Sequence, residues 1–293
     1  MFKQMKVWLA LTTIFSLLAL VSACGDKSAA PDTNAPATGA TVKTFAPKGN
    51  EGSVTGVVAY NGTPAAPKKI DTSADPVCGT ANPNLTTEAA VVKDGKLANV
   101  FVYVKDGTTA DGTKVGDYTY PTPSAAVTLD QKGCQYVPHV LGVQTNQTLT
   151  ITNSDATQHN IHPTPKVNPE WNKTQANGSA PLNEKFARHE VLIPVKCNQH
   201  PWMKSYVGVL KHPFFAVSAA DGSFTIKGVP PGTYTVAAWH EGGSAGTEKT
   251  MQVTVPASGS GKADFAFGDA ATASTGSGLQ MMPALDVPMI GRH

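Results

Sequence analysis

Between residues 51 and 268 the chain keeps no long apolar repeat at the three-to-four-residue spacing of an amphipathic helix. Short runs of β-branched and aromatic residues alternate instead with clusters of Gly, Pro, Asn and Asp. The runs are Val54–Tyr60, Val100–Val104, Val127–Leu129, Leu149–Thr152, Val191–Val195, Tyr206–Leu210, Ser223–Ile226 and Tyr234–Trp239. Such side chains suit a pleated, half-buried surface, and the interrupting residues turn the chain. Many short strands without helices predict an all-β chain of sandwiches or barrels. The patterned region, about 220 residues, is generous for one small sandwich, so two modules are expected.

The two ends read differently. Residues 1–23 have the form of an export signal: Lys3 and Lys6 precede an apolar stretch from Val7 to Val21, and small residues then lead to Cys24. The apolar stretch is short for a membrane span. A cysteine at the cut resembles the lipobox of bacterial lipoproteins. The resemblance implies that Cys24 is the lipidated first residue of a periplasm-facing protein of the bacterial cell envelope. Gly25, where inner-membrane lipoproteins carry Asp, favours the outer membrane. An uncleaved signal anchor is the alternative. Residues 24–50, rich in Ala, Pro, Thr and Gly, are expected to be a flexible linker. Residues 269–293 are expected to be a solvated, disordered tail; Met281, Met282 and Met289 leave open a copper-collecting segment.

Charge excludes one class of partner. Loss of Lys3 and Lys6 would bring the 23 basic residues level with the 21 acidic ones, so the chain has no electrostatic footprint for nucleic acid. No later segment is long and apolar enough to span a bilayer, so membrane contact is expected through the lipid anchor only.

With Cys24 lipidated, Cys78, Cys134 and Cys197 remain. An odd number permits one internal bridge at most. A Cys78–Cys134 disulfide would leave Cys197 free, although spacing alone does not fix the pairing.

Cys197-Asn198-Gln199-His200-Pro201-Trp202-Met203 places a thiolate, an imidazole and a thioether in one tight loop. These are the ligand types of a trigonal copper site with a weak axial thioether. A fourth ligand is at hand upstream, where a strand end runs into His159-Asn160-Ile161-His162. Each residue has an ordinary alternative: Cys197 as a buried small hydrophobe or disulfide partner, His200 as a turn residue, Met203 as core. Either His159 or His162 could be the ligand. His139 is expected to be structural. His189, His212 and His240 read as surface or capping residues, with Trp239-His240-Glu241 a candidate interface segment.

Residues from about Val127 to Leu210 resemble a cupredoxin, the Greek-key sandwich of plastocyanin and amicyanin. The stretch Tyr136 to Asn153 looks like the family's leading hairpin, and His159-Asn160 matches its first-ligand "HN". The short loop Cys197–Met203 is similar to that of amicyanin, with Trp202 in place of Phe. The resemblance implies one type 1 copper, with His159, Cys197 and His200 as equatorial ligands and Met203 as the axial one. His162 stands as an extra candidate. Asn160 would tie the two ligand loops together, and Pro201 and Trp202 would stiffen the loop and exclude water. The segment Val191 to Lys196 departs from the family in lacking a Gly-x-Tyr-x-Tyr-like run. The polar loop between His162 and Phe186 is also long.

A second resemblance flanks the first. Asp221-Gly222-Ser223-Phe224 and Val229-Pro230-Pro231-Gly232-Thr233-Tyr234 are similar to the "DGxF…PPGxY" signature of carboxypeptidase regulatory-like, transthyretin-like sandwiches. Gly52 to Val58 looks like that family's opening strand, and Leu97 to Val104 like a following one. The expected division is 51–107 and 214–268 for this sandwich and 108–213 for the copper module, inserted into it or docked on it.

Three functions compete. The first is a carrier of single electrons to or from a redox partner such as a c-type cytochrome or a dehydrogenase. The second is a copper-binding or delivery lipoprotein, and the third a β-sandwich interaction module with a vestigial site. Catalysis is not expected, since the chain lacks the His-x-His pairs of multicopper oxidases, His-Glu-x-x-His and any evident paired-carboxylate motif.

Overall fold

The computed structural model describes residues 43–242 and 246–268. These residues are almost entirely β-sheet, with one short α-helix, Pro76–Ala81, and a single 3-10 turn, Val115–Asp117. Seven of the eight apolar runs named above lie within observed strands, and the eighth, Val100–Val104, begins one residue before the strand Phe101–Thr109. The expected signal, the lipidation residue Cys24 and the tail from residue 269 lie outside the described residues.

One pair of sheets is built from both ends of the chain. Its first sheet orders Phe215–Val217, Phe101–Thr109, Gly232–His240 and Thr247–Val255, all antiparallel. Its second centres on Gly52–Asn61, which pairs with Ser223–Val229, Lys96–Leu97, Ser260–Lys262 and Phe265–Gly268. Between them lies a core that includes Val54, Val102, Phe224, Ile226, Tyr234 and Val236.

A second pair of sheets comes from the intervening chain. Leu182–Glu184, Leu149–Asn153, Val127–Gln131 and Tyr136–Val137 form one. Lys173–Gln175, His159–Pro163, Glu190–Lys196, Lys204–Leu210 and Val140–Gln144 form the other. Leu129, Val143, Ile151, Ile161, Ile193 and Val207 fill the space between them.

The two sandwiches pack face to face, and the alternation of their strands shows how. Val100, Val102 and Val104 enter the first core, whereas Phe101 and Tyr103 point the other way into a third apolar layer with Val140, Leu192, Leu210 and Ala237. Likewise Leu141, Val143, Val207 and Val209 face the second core, while Val140, Tyr206 and Leu210 face that layer. An unbroken apolar run on a strand is what burial of both faces requires. Between the sandwiches, Gly142 and Gly208 are register partners on adjacent parallel strands. A Cβ on Gly142 would overlap the Phe215 and Phe101 rings, and one on Gly208 the Phe101 ring. The missing side chains let Phe101 bury fully, worth roughly 2–3 kcal/mol.

The structure corrects three expectations. The linker does not extend to residue 50: Lys43–Thr44 pairs with Tyr118–Thr119, and Phe45 packs edge-on against Tyr118 and Phe214, since an aromatic side chain gains by burial. A module boundary at 108 falls inside the strand Phe101–Thr109, and Val115, Tyr118 and Tyr120 still belong to the first core. Tyr136 to Asn153 is not a hairpin. A turn with Asn146 at φ 64° carries the chain from one sheet to the other, and Val140–Gln144 and Leu149–Asn153 each pair in parallel elsewhere.

Residues 62–91 leave the strand Gly52–Asn61 and cross to the intervening sandwich. Asp75 caps the helix Pro76–Ala81 by accepting from Val77 N at 2.9 Å, with Pro at the first helical position. Cys78 in that helix forms a disulfide with Cys134, their Cα atoms 5.5 Å apart, leaving Cys197 as a free, buried thiol.

Candidate metal centre

Two strand ends and one tight connection build the site. His159 opens the strand His159–Pro163, and Cys197 directly follows the strand Glu190–Lys196; the two strands are antiparallel, with His162 opposite Lys196. Cys197 to Met203 joins Glu190–Lys196 to Lys204–Leu210, whose Lys196 and Lys204 are register partners. Cys197 N donates to Met203 O at 3.3 Å and Met203 N to His200 O at 2.9 Å, closing the loop on itself. His159, Cys197, His200 and Met203 are all buried.

Within this site the donor atoms of His159, Cys197 and His200 lie within 4.8 Å of one another. The Nδ1 atoms of His159 and His200 face each other at 2.8 Å, and Cys197 Sγ is 3.7 Å from His200 Nδ1. Each imidazole is held from behind. His159 Nε2 meets Asp155 Oδ2 at 2.8 Å, and His200 Nε2 meets Asp75 Oδ2 at 3.0 Å. A carboxylate on Nε2 holds that nitrogen as a proton carrier and aims Nδ1 inward, the arrangement that orients metal-ligating histidines.

Asn160 joins the two loops. Asn198 N donates to its Oδ1 at 2.7 Å, the Cys197 thiol lies 3.3 Å from the same oxygen, and Asn160 N approaches the sulfur at 3.5 Å. Its Nδ2 donates to Asn172 Oδ1 at 2.6 Å, and Tyr136 OH donates to its carbonyl at 2.5 Å. Trp202, half-buried, lies with its ring 5.1 Å from that of His200 and donates from Nε1 to Cys134 O at 3.1 Å. Pro201 is exposed beside it.

Charge is arranged around the cluster. Burial opposes the charged form of His159, but Asp155 and the Cys197 sulfur outweigh it and raise its pKa to about 9. Burial also opposes the Cys197 thiolate, yet His159 and backbone N–H groups of the loop lower its pKa below the ordinary thiol value. For His200, burial dominates over Asp75 and lowers the pKa. A cluster that favours thiolate and presents two inward nitrogens has the donor set for a thiolate-binding transition metal.

His162 takes no part in the cluster. Three residues along a strand reverse the side-chain face, and its nitrogens meet Asn198 Oδ1 at 3.0 Å and Glu170 Oε1 at 2.6 Å instead. His212 and His240 are buried rather than on the surface, and the Nδ1 of each accepts from a backbone N–H two residues on, Phe214 and Gly242, as a capping residue does; His212 lies between Tyr120 and Phe214. Sequence reading missed Asp75, Asp155, Tyr136 and Asn172. Asp155 left a trace, standing four residues before His159 in an Asx turn, where Asp155 N donates to Asn153 Oδ1 at 3.0 Å. Asp75 left none, because it arrives from a segment remote in sequence.

A family model described as polysaccharide lyase family 4, domain II, matches residues 201–263, less than half of the chain. No curated protein matches. Solved structures with local similarity include a copper-containing nitrite reductase from Thermus scotoductus SA-01, at 20% identity and TM-score 0.27, over 29% of this chain and 22% of that one. An amicyanin variant in the Cu(I) state matches at 22% identity and TM-score 0.27, over 30% of this chain and 85% of its own. A purple cupredoxin from Nitrosopumilus maritimus matches at 21% identity and TM-score 0.25, over 28% of this chain and 98% of its own.

Proposed function

We propose that this chain is a single-copper electron carrier of the cupredoxin kind, exported and tethered to the bacterial envelope through Cys24. The observation that carries the reading is the convergence of His159 Nδ1, His200 Nδ1 and Cys197 Sγ, with a carboxylate behind each imidazole. His159, Cys197 and His200 would hold the ion, with Met203 as a weak fourth ligand. Bound copper supplies one-electron chemistry, its Cu(I) state suited by thiolate and thioether and its Cu(II) state by imidazole. The protein's part is to hold these donors in one arrangement. Asn160 locks the two loops to each other, and the disulfide pins the Asp75 segment over His200. The redox partner we propose is a c-type cytochrome or a dehydrogenase.

Copper delivery is the second reading, favoured by one observation. Asp75 covers His200, whose side chain is 5% exposed, so the site is closed to a docking surface on that side. The flanking sandwich, which we read as transthyretin-like, would then serve to bring residues 62–91 across the site.

The test is copper titration of the mature chain with visible absorption and electron paramagnetic resonance. An intense thiolate-to-copper band saturating at one equivalent, and absent in Cys197→Ser, is the expected result. No band in the intact chain would sink the copper reading and leave an interaction module. Fast electron exchange with slow loss of copper to a chelator marks the carrier; the reverse marks delivery.

A further inference from the structure

His139 lies outside the Cys197 cluster, in an arrangement that the cluster does not use. His139 is 7% exposed, and its Nε2 meets Glu241 Oε1 at 2.5 Å. Its Nδ1 is buried and has no hydrogen-bond partner. Glu88 Oε2 stands 3.5 Å from that nitrogen, and the Lys204 backbone lies beside the ring. His139, Glu88 and Glu241 line a pocket of about 160 Å³, whose far wall is Trp202 and Met203.

A buried nitrogen without a partner has given up its hydrogen bond to water with nothing in return, so an orphan of this kind calls for a ligand. The 3.5 Å separation is long for a hydrogen bond but matches another geometry. Two ligand atoms each about 2.1 Å from a tetrahedral ion stand about 3.4 Å apart. Behind the histidine, Glu241 takes the far nitrogen, as carboxylates do behind metal-bound imidazoles. The pocket leaves room for the water ligands that would complete the coordination.

We propose that His139 Nδ1 and the Glu88 carboxylate form a second metal site, separate from the Cys197 cluster, for a divalent transition-metal ion of borderline softness. Imidazole with carboxylate and no thiolate suits Zn²⁺, Co²⁺ or Cu²⁺ better than Cu(I). The two carboxylates also raise the pKa of His139 against its burial.

Co²⁺ tests this, because its d–d absorption reports the ligand field. The full mature chain and Glu88→Gln are each titrated, once as the apoprotein and once after saturation with Cu(I). The wild type is expected to bind one equivalent of Co²⁺ more than Glu88→Gln in both series. Glu88 is 34% exposed at the pocket rim, so its substitution leaves the fold intact. Glu241→Gln is expected to keep the stoichiometry and weaken binding about 10-fold. Equal stoichiometry in wild type and Glu88→Gln, or unchanged affinity in Glu241→Gln, would overturn the site. The comparison is read as a difference between variants, so a failure of the Cys197 cluster to take copper does not alter it.

Discussion

The Asp75 carboxylate and the His200 imidazole meet at 3.0 Å although 125 residues separate them. Asp75 also caps the helix Pro76–Ala81 and accepts from Thr157 Oγ1 at 2.7 Å, so one side chain joins the crossing segment to both ligand loops. Asp75→Asn keeps the shape but removes the charge behind His200. Copper affinity is expected to fall about 10–100-fold. Competition against a chelator measures it, and an affinity equal to wild type would show that Asp75 only covers the site.

Asp155 holds His159 and also accepts from Gly133 N at 2.6 Å and Cys134 N at 2.8 Å. Asp155→Ala leaves these N–H groups unpaired in a buried place. A loss of roughly 2–4 kcal/mol in the free energy of unfolding is expected, read by denaturant titration of the metal-free chain.

The Cys78–Cys134 disulfide closes a separation of 56 residues beside the metal cluster. Replacing both cysteines by Ala should cost roughly 2–5 kcal/mol of stability. The same variant should lose copper faster than wild type, because Asp75 lies three residues from Cys78. Identical off-rates would separate the bridge from the site.

Gly208→Ala places a methyl group into the Phe101 ring between the two sandwiches. Overpacking of this kind costs typically about 1–3 kcal/mol. The denaturant midpoint should drop while the visible spectrum of the copper-loaded chain is unchanged, since Gly208 touches no donor of the cluster. A shifted spectrum would mean that strain passes through the sheet to the site.

His212 links stability to pH. Burial, with His189 nearby, pushes its pKa down to about 4. The unfolded chain binds the proton first, near pH 6.5, so this contribution is complete above that pH. It is lost as pH falls from about 6.5 towards 4, amounting to roughly 3 kcal/mol at the lower limit. Unfolding free energies between pH 7 and 4 should show that slope, and His212→Gln should flatten it.

Local pattern accounts for much of this molecule. The alternation of β-branched runs with turn residues specifies where strands form, because side-chain periodicity is a property of neighbouring residues. The uninterrupted run Val100 to Val104 even carries the mark of a strand buried on both faces. Cys197, His200 and Met203 stand out for the same reason: they occupy one loop, and a loop is short enough to read in sequence. What only the tertiary structure decided is everything that depends on distant segments meeting. It turned His159 inward and His162 outward through the parity of one strand, and it brought Asp75 across from residues 62–91 to His200. It also left His139 buried between Glu88 and Glu241, and it made Gly142 and Gly208 a seat for Phe101. Long-range contacts of this kind are selected by packing and charge in three dimensions, and no local spacing records them.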